Sequence, residues 1–227
     1  MQRVLVVEDD PAIARTLRIN LRARGYDVAV VGDGRSALQS VAEDMPDVIV
    51  LDLGLPDVDG VEVLRRVRKT SSVPVVVLSA RQESDDKVEA LDLGADDYVT
   101  KPFGMDEFMA RVRAAARRGG SESGENVPPV HTPDFDLDFA ERIATDARGA
   151  LIRLTPTEWR LLSALARRRG HLVTHADLLR EVWGPAYGRE SNYLRVYANQ
   201  IRKKLEPDHS APKYLITEPG IGYRLSI

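Results

Sequence analysis

The first 118 residues alternate short runs of apolar residues with stretches in which apolar residues recur three or four positions apart. The short runs are mostly continuous and rich in valine, a pattern typical of strands that are covered on both faces. The spaced stretches predict amphipathic helices. Five strands alternating with five helices predict a doubly wound, five-stranded parallel sheet, an α/β fold of the flavodoxin-like type. The runs that predict strands are 4–7, 28–31, 48–51, 75–78 and 98–99.

The last hundred residues carry a different pattern. Short strand-like segments come first, and the sequence from Thr155 to Glu158 then predicts the start of a helix, with a threonine cap, a proline and a glutamate three residues after the cap. Two more helices and a hairpin follow, which is the element order of an α+β winged-helix domain. The predicted segments are strands within 135–154, helices at about 155–169, 175–182 and 191–205, and a hairpin over 214–225.

A segment rich in glycine and serine, followed by two prolines, separates these two patterns. Such a composition favours a flexible, solvated linker. We therefore predict two domains, residues 1–118 and 131–227, joined by a linker over residues 119–130.

Composition and charge narrow the function classes. The chain has 227 residues, of which 43% are hydrophobic, so a disordered protein is excluded. It has no cysteine, which excludes disulfides, thiolate metal sites and cysteine nucleophiles. The net charge is −3, with acidic residues in excess before residue 118 and basic residues in excess after residue 131. The basic half is therefore a candidate for binding a polyanion. No apolar stretch is long enough to span a membrane and no secretory leader is indicated, so we expect a cytoplasmic protein with no membrane partner.

Polar residues follow four of the predicted strands at their carboxyl ends: Glu8 and Asp9, Asp52, Ser79 and Lys101. In a parallel sheet these ends meet at one edge, where ligands bind. Carboxylates that converge there require a cation, and an oxygen-only ligand set favours Mg²⁺. An aspartate can attack phosphorus to form an aspartyl phosphate, while a lysine and a hydroxyl group stabilise the phosphoryl oxygens. The alternative is that the acidic residues only cap the helices that follow.

The segments around these residues resemble the receiver domain of two-component response regulators. The resemblance covers residues 1–118 and rests on 6–11, 51–60, 78–81 and 94–103. It implies that Asp52 accepts a phosphoryl group from a phosphohistidine of a sensor histidine kinase. It also implies that Mg²⁺ is bound by Glu8, Asp9, Asp52 and the backbone carbonyl of Gly54.

The same resemblance assigns roles to three further residues. Lys101 would contact the phosphoryl group, and its peptide bond to Pro102 is usually cis in the family. Ser79 and Tyr98 would form a switch pair, in which the hydroxyl group moves toward the phosphoryl group and the aromatic ring turns inward behind it. From its position alone, Tyr98 could equally be a half-buried strand residue.

Charged and apolar residues on the fourth helix, the fifth strand and the fifth helix form a candidate interaction surface. Such charges usually form only a solvated face. In OmpR/PhoB-type regulators this face forms a two-fold homodimer on phosphorylation, and the matching positions suggest intersubunit pairs of Lys87 with Glu107 and of Asp97 with Arg111. The predicted interface residues are Lys87, Val88, Leu91, Asp97, Glu107, Ala110 and Arg111.

The last of the three helices has an apolar stripe and a polar front, which suits insertion into the major groove. A solvated basic helix is the alternative. This helix, the segment 154–159 and the ending 220–224 resemble the winged-helix effector domain of OmpR/PhoB-type regulators, which implies binding of double-stranded promoter DNA with the wing at the minor groove. Pro219 stands where many relatives have arginine, so Thr217 or backbone groups are expected to contact phosphate instead. The predicted DNA contacts are Tyr193, Arg195, Val196, Asn199, Gln200, Arg202, Lys203 and Thr217.

Four segments most resemble KdpE-type regulators: 51–57, 183–186, 192–197 and 217–223. These control genes for a potassium-uptake ATPase, with a KdpD-like sensor kinase as the phosphodonor. The prediction is a transcription regulator, with RNA polymerase as a further partner. It is not an enzyme, beyond assisting its own phosphorylation and dephosphorylation.

Four alternatives stay open: an OmpR/PhoB-type regulator of another regulon, a regulator without phosphorylation control, a receiver whose second half binds protein or RNA, and a phosphohydrolase with an aspartate nucleophile. The intact acidic site argues against a regulator without phosphorylation control. The phosphohydrolase would need a second acidic residue where Gly54 stands.

Overall fold

The computed structural model describes residues 1–80, 84–118, 127–185, 187–188 and 191–227, with only the backbone of 84–86 and 117–118. The chain divides into two compact units, Met1–Gly119 and Gly120–Ile227. The predicted linker residues 119–126 and the motif residue Arg81 lie outside the described residues. Within the described ranges, no helix is long and apolar enough to cross a membrane.

The first unit is built on a five-stranded sheet in the order β2-β1-β3-β4-β5. All four neighbouring pairs are parallel, which confirms the predicted α/β fold. Each apolar run forms the predicted strand because its side chains are covered on both faces. The strands are β1 (Arg3–Val7), β2 (Asp27–Val31), β3 (Val48–Asp52), β4 (Val75–Ser79) and β5 (Asp97–Thr100).

Five helices cover this sheet, one after each strand. Local sequence determines where they begin: the carboxylate of Asp10 accepts hydrogen bonds from the amides of Ala12 and Ile13, and Pro11 opens the first helix. Valine and leucine side chains of β1, β3 and β4 form the core together with Phe108 and neighbouring residues of the fifth helix. The helices are α1 (Pro11–Arg22), α2 (Gly34–Glu43), α3 (Gly60–Thr70), α4 (Ser84–Asp92) and α5 (Met105–Arg118).

The second unit has two three-stranded sheets, in the orders β6-β7-β8 and β10-β11-β9. Its first helix follows β8, and the other two lie between β9 and β10 in sequence. The predicted winged-helix order is confirmed. Its elements are β6 (Val130–His131), β7 (Phe135–Asp138), β8 (Ile143–Asp146), α6 (Pro156–Ala166), β9 (Val173–Thr174), α7 (His175–Trp183), α8 (Ser191–Leu205), β10 (Leu215–Glu218) and β11 (Gly222–Leu225).

Three details of the second unit differ from the prediction. The two-residue strands β6 and β9 were missed, because two residues are too few to show a period. Val130, predicted as part of the linker, is buried and pairs with Leu137. The predicted strand over 151–154 is reduced to a single bridge between Thr145 and Leu151.

Two buried contacts join α8 to the other helices of this unit. Trp183 at the end of α7 lies against Tyr193 and Tyr197 of α8, with ring centroids 5.8 Å and 5.3 Å away. Glu158 caps the start of α6 through the backbone amide of Thr155 and also accepts hydrogen bonds from Lys204 Nζ at 2.6 Å and 2.7 Å. The helix that carries the candidate DNA contacts is therefore held at both ends.

Candidate functional site

The predicted acidic residues meet at the carboxyl edge of the first sheet. Glu8 follows β1, and Asp52 is the last residue of β3, the neighbouring strand. Carboxylate oxygens of Glu8, Asp9 and Asp52 all lie within 4.8 Å of one another. Glu8 and Asp52 are buried, whereas Asp9 is exposed. The site is thus open to solvent on the side of Asp9.

Lys101 holds the two buried carboxylates together. Its Nζ atom donates to both oxygens of Glu8, at 3.0 Å and 2.8 Å, and to Oδ2 of Asp52 at 2.6 Å. Burial raises the pKa of Glu8, against the hydrogen bond from Lys101 that lowers it. Burial alone would lower the pKa of Lys101, but the hydrogen bonds to Asp52 and Glu8 raise it above its usual value. Lys101 is therefore a cation at neutral pH.

The loop after β3 orients the carboxylate of Asp52. The amide of Gly54 donates to Oδ1 at 3.0 Å, so one oxygen faces the loop and the other faces Lys101. Gly60, at the start of α3, comes so close that a Cβ atom there would lie 2.5 Å from the Cα atom of Leu53 and even closer to the carbonyl oxygen of Asp52. Only glycine lets α3 begin this near to the aspartate.

The residues at this edge fit a magnesium ion. All donors are oxygens, as a hard divalent cation prefers, and three carboxylates exceed the single charge that Lys101 supplies. Gly54, whose carbonyl is the predicted fourth ligand, lies next to Asp52 and is exposed. Glu8, Asp9, Asp52 and Gly54 are therefore the residues that would hold the ion.

The predicted switch residues lie on the two strands beyond β3. Ser79 ends β4 and is 2% exposed, and its carbonyl accepts the amide of Lys101 at 2.7 Å. The peptide bond from Lys101 to Pro102 is cis, as the resemblance implied. The ring of Tyr98 is buried, and Nζ of Lys87 lies 5.6 Å from its centroid. A residue of the predicted dimer surface thus contacts the predicted switch.

On the candidate dimer surface, the structure pairs Arg111 within its own chain. Its guanidinium lies 2.8 Å from Asp97 and 2.7 Å from Glu107. Asp97 and Leu91 are both buried, so in the single chain neither adds exposed surface to the predicted interface. The half-buried or exposed members of the predicted surface are Lys87, Val88, Glu107, Ala110 and Arg111.

The predicted apolar stripe of α8 is buried, with Leu194, Tyr197 and Ile201 at most 1% exposed. The opposite side presents Arg195 and Lys203, which are exposed. Asn199 and Arg202 are half-buried.

Three of the predicted DNA contacts lie in the buried part of α8: Tyr193, Val196 and Gln200 are 7%, 3% and 7% exposed. Tyr193 packs on Trp183, whose ring lies on the inner side of α8. The buried face of α8 is therefore wider than the stripe read from the sequence, because the helix packs against several elements. These three side chains belong to the core of the second unit.

Two other predicted DNA contacts bind each other. Nη2 of Arg202 donates to Oγ1 of Thr217 at 2.7 Å and to the carbonyl of Leu215 at 2.6 Å. Glu206, which sequence reasoning missed, accepts the amides of Lys213, Tyr214 and Leu215. Its position four residues after Arg202, just beyond α8, is the signal that could have identified it.

A cleft of about 560 Å³ opens beside Lys101. It lies between α1 and the segment that follows β5, and its walls are mainly apolar. Ala12, Ile13, Phe103 and Met105 are among the lining residues. The phosphoacceptor candidate is thus bordered by a surface suited to apolar side chains.

Comparison with known families accounts for both units. Residues 4–113 match the response regulator receiver domain, and residues 149–225 match the C-terminal domain of transcriptional regulatory proteins. Together these two matches cover most of the chain.

Individual relatives resemble the chain over its whole length. The transcriptional regulatory protein KdpE of Mycobacterium tuberculosis is 56% identical over 225 residues, or 99% of each chain. The KDP operon transcriptional regulatory protein KdpE of Escherichia coli is 45% identical and covers 100% of each chain. Among solved structures, the response regulator DrrB of Thermotoga maritima, an OmpR/PhoB homologue, is 29% identical with a TM-score of 0.54, over 100% of this chain and 99% of its own.

Proposed function

Because the chain belongs to the DNA-binding response regulators of the OmpR/PhoB type and is KdpE-like, we propose that phosphorylation of Asp52 controls its binding to promoters of potassium-uptake genes. The observation that carries the proposal is the arrangement of Glu8, Asp9, Asp52 and Lys101 at one edge of the first sheet. A KdpD-like sensor histidine kinase is the phosphodonor, and the protein acts in the cytoplasm. The chain assists its own phosphorylation and dephosphorylation but has no separate substrate.

The chemistry follows from the contacts of Asp52. One carboxylate oxygen attacks phosphorus, an O–P bond forms, and the N–P bond of the phosphohistidine breaks to release the imidazole. Lys101 already donates to Asp52 at 2.6 Å, so a small movement transfers that hydrogen bond to a phosphoryl oxygen. The amide of Gly54 keeps the carboxylate oriented. The Mg²⁺ ion that Glu8, Asp9, Asp52 and the carbonyl of Gly54 would hold would neutralise part of the charge on the phosphoryl oxygens.

The cleft between α1 and the segment after β5 is the proposed docking site of the sensor kinase. It adjoins Lys101, and its apolar walls would bury side chains of the kinase near the phosphohistidine. This placement brings the donor to the acidic edge without a rearrangement of the sheet.

The switch is proposed to run through Ser79 and Tyr98 to the surface of α4 and α5. A new dianionic group attracts the Ser79 hydroxyl, and the ring of Tyr98 adjusts behind it. Because Lys87 contacts that ring, movement of the ring changes the position of the Lys87 ammonium group. At the surface, this ammonium group pairs with Glu107 of a second copy. A homodimer brings two effector domains to neighbouring half-sites at a raised effective concentration, and RNA polymerase is recruited there.

In the effector domain, the exposed residues of α8 contact the DNA. Arg195 and Lys203 are exposed and Asn199 is half-buried, on the side opposite the buried apolar stripe. Long cationic side chains on one helix face suit both base edges and phosphates of the major groove. We assign these three residues as the DNA contacts of α8.

Magnesium is expected to stabilise the folded chain, and this effect should depend on Asp9. Ligand binding to the native state adds about 2.7 kcal/mol at a concentration 100 times the dissociation constant. Asp9 is exposed, so Asp9→Asn leaves folding unchanged but removes a charged ligand. We expect the Mg²⁺ concentration needed for half of the thermal stabilisation to increase about tenfold or more. Differential scanning fluorimetry at increasing Mg²⁺ measures this.

Asp27→Asn is the matched control, since Asp27 is exposed and begins β2 at the other edge of the sheet. It should respond to Mg²⁺ like the wild type. An Asp9→Asn variant with an unchanged Mg²⁺ response would contradict the assigned ligand set.

The dimer pairing of Lys87 with Glu107 can be tested by exchanging charges. Lys87→Glu should weaken the phosphorylated dimer about tenfold, because two like-charge contacts replace two ion pairs that contribute up to about 1 kcal/mol each. Adding Glu107→Lys should restore the dimer. Sedimentation equilibrium measures both constants. Lys69→Glu, on α3, is the control for a change of net charge and should have little effect. A double variant no tighter than Lys87→Glu would refute the pairing.

DNA binding itself is tested with the fragment upstream of the potassium-uptake genes. The phosphorylated chain should bind this fragment more tightly than the unphosphorylated chain, and affinity should fall steeply with salt. Arg195→Ala should weaken binding by about 1–3 kcal/mol, whereas Arg148→Ala, an exposed arginine in the turn after β8, should not. Specific binding only to other promoters, in genome-wide mapping, would assign the chain to another regulon. Equal effects of the two arginine variants would exclude α8 as the recognition helix.

A further inference from the structure

The strand β10 lies at the edge of its sheet, and α8 covers that edge. The sheet order is β10-β11-β9, so one side of β10 has no strand partner within the part of the chain that the structure describes. Unpaired amides and carbonyls on such an edge require other partners. For Leu215, the first residue of β10, residues near the end of α8 supply a partner for the amide and a partner for the carbonyl. Its amide donates to Oε1 of Glu206 at 2.8 Å, and its carbonyl accepts from Nε and Nη2 of Arg202 at 2.9 Å and 2.6 Å.

Thr217 extends the same contact along the strand. Its Oγ1 accepts a hydrogen bond from Nη2 of Arg202 at 2.7 Å. We call the group of Arg202, Glu206, Leu215 and Thr217 the α8–β10 clamp. Hydrogen bonds from a charged group are short and strong, and a guanidinium presents its donors in a rigid fork. The clamp therefore fixes the angle between α8 and the hairpin of β10 and β11, the wing.

The environment of Arg202 also differs from that of its exposed neighbour. Arg202 is half-buried, whereas Lys203 is exposed. Burial lowers the pKa of the Arg202 guanidinium, which nevertheless stays charged at any pH at which the protein is folded. Nε and Nη2 form one of the two guanidinium edges that can bind a phosphate bidentately, and both are directed at β10.

We propose that Arg202 is a positioning residue that sets the wing against α8 and raises DNA affinity through Leu215 and Thr217, without contacting DNA itself. This replaces the sequence-based expectation that Arg202 and Thr217 contact DNA. It rests on the proposed role of α8 as the recognition helix. Because these hydrogen bonds hold α8 and the wing together before DNA binds, fewer side-chain and loop motions have to be ordered on binding.

The salt dependence of DNA affinity separates positioning from contact. A cation that binds phosphate contributes about one unit to the slope of log affinity against log salt concentration. Arg202→Met removes the guanidinium but keeps an apolar stem of similar length. We expect it to lower affinity about three- to tenfold at every salt concentration, the scale of ordering a few side chains, with the wild-type slope. Lys203→Met, one position along, should instead reduce the slope by about one.

A reduced slope in Arg202→Met, or an unchanged affinity in a folded Arg202→Met protein, would overturn the proposal. Amide hydrogen exchange without DNA is a second readout: β10 and β11 should exchange faster in Arg202→Met and as in the wild type in Lys203→Met. Arg202→Lys, which keeps the charge but loses the fork, should restore the affinity only in part. Full restoration by lysine would indicate a simple charge contact and would also count against positioning.

Thr217→Val tests the same contact in a protein that keeps Arg202, and together with Arg202→Met it completes a double-mutant cycle. Valine matches threonine in shape, and Thr217 is exposed, so this variant should fold. Thr217→Val should lower affinity in the wild type and have no further effect in Arg202→Met, since both break the same contact. Additive effects would assign Thr217 to phosphate and refute the clamp. If Arg195→Ala binds DNA normally, the proposed role of α8 as the recognition helix fails. If only the Arg202 tests fail, α8 remains the recognition helix.

Discussion

Replacing Asp52 with alanine is expected to abolish labelling of the full-length chain by a small phosphodonor in the presence of Mg²⁺. Asp52 accepts Lys101 through Oδ2 and the amide of Gly54 through Oδ1 at 3.0 Å, whereas both oxygens of Glu8 are engaged by Lys101 and the amide of Asp10 reaches Oε1 of Glu8 only at 3.4 Å. Removing Asp52 therefore removes the nucleophile and leaves no equally oriented substitute. Intact-protein mass spectrometry should show one phosphoryl group per wild-type chain and none on the variant.

The Asp52→Ala variant should still fold. Asp52 raises the pKa of Glu8 by repulsion between the two carboxylates, so its removal relieves an unfavourable interaction, and Glu8 continues to neutralise Lys101. Asp57→Asn is the matched control because Asp57 lies in the same loop, where it accepts the amides of Gly34 and Arg35. It should be labelled like the wild type. Stoichiometric labelling of Asp52→Ala would refute the assignment of the phosphoacceptor.

Replacing Gly222 with alanine is expected to unfold the effector domain or to lower its stability by about 3 kcal/mol or more. A Cβ atom at this position would lie 2.8 Å from the carbonyl carbon of Val173 and 2.9 Å from the Cα atom of Thr174, and it would overlap the carbonyl oxygen of Val173. These are backbone atoms of the neighbouring strand β9, so no side-chain rotation can make room. The pairing of β11 with β9 must open, and the wing loses its support.

Calorimetry of the full chain measures this effect. At about 4–8 °C per kcal/mol for a domain of this size, the transition of the effector domain should fall by about 12 °C or more. Phosphorylation of the receiver domain should be unchanged. Gly188→Ala, where no atom of the described residues beyond the chain neighbours lies within 4 Å of the added carbon, is the control and should leave the transition in place. A Gly222→Ala protein as stable as this control would contradict the close approach of β9.

The parallel sheet and its acidic edge could be predicted because the strands are mostly continuous apolar runs and four of the five are followed by polar residues. The rule that carboxyl ends converge then brings Glu8, Asp52 and Lys101 together without coordinates. The sequence pattern did not reveal that Lys101 joins Glu8 to Asp52, since this depends on side-chain reach across neighbouring strands. The sequence pattern also did not reveal that Arg111 pairs with Asp97 inside one chain, because this pairing likewise depends on how far a side chain reaches across the fold.

The buried width of α8 could not be predicted from the sequence, for a physical reason. A helical stripe read from the sequence has a fixed width, but the buried width of α8 depends on how many elements surround it. Tyr193, Val196 and Gln200 flank the stripe and are covered in the structure. Arg202 and Thr217 looked like surface residues because their partner on the other element is far away in sequence.

The buried carboxylate of Glu158 affects how mutations in this protein would be interpreted. It lies in α6, remote from the exposed side of α8, yet its oxygens receive the ammonium group of Lys204 near the end of that helix. A genetic screen for strains that fail to express the target genes would therefore recover alleles at Glu158 alongside alleles at Arg195. Only the alleles at Arg195 would mark the surface that contacts the promoter. The set of loss-of-function positions would therefore include residues that lie outside the DNA-binding surface.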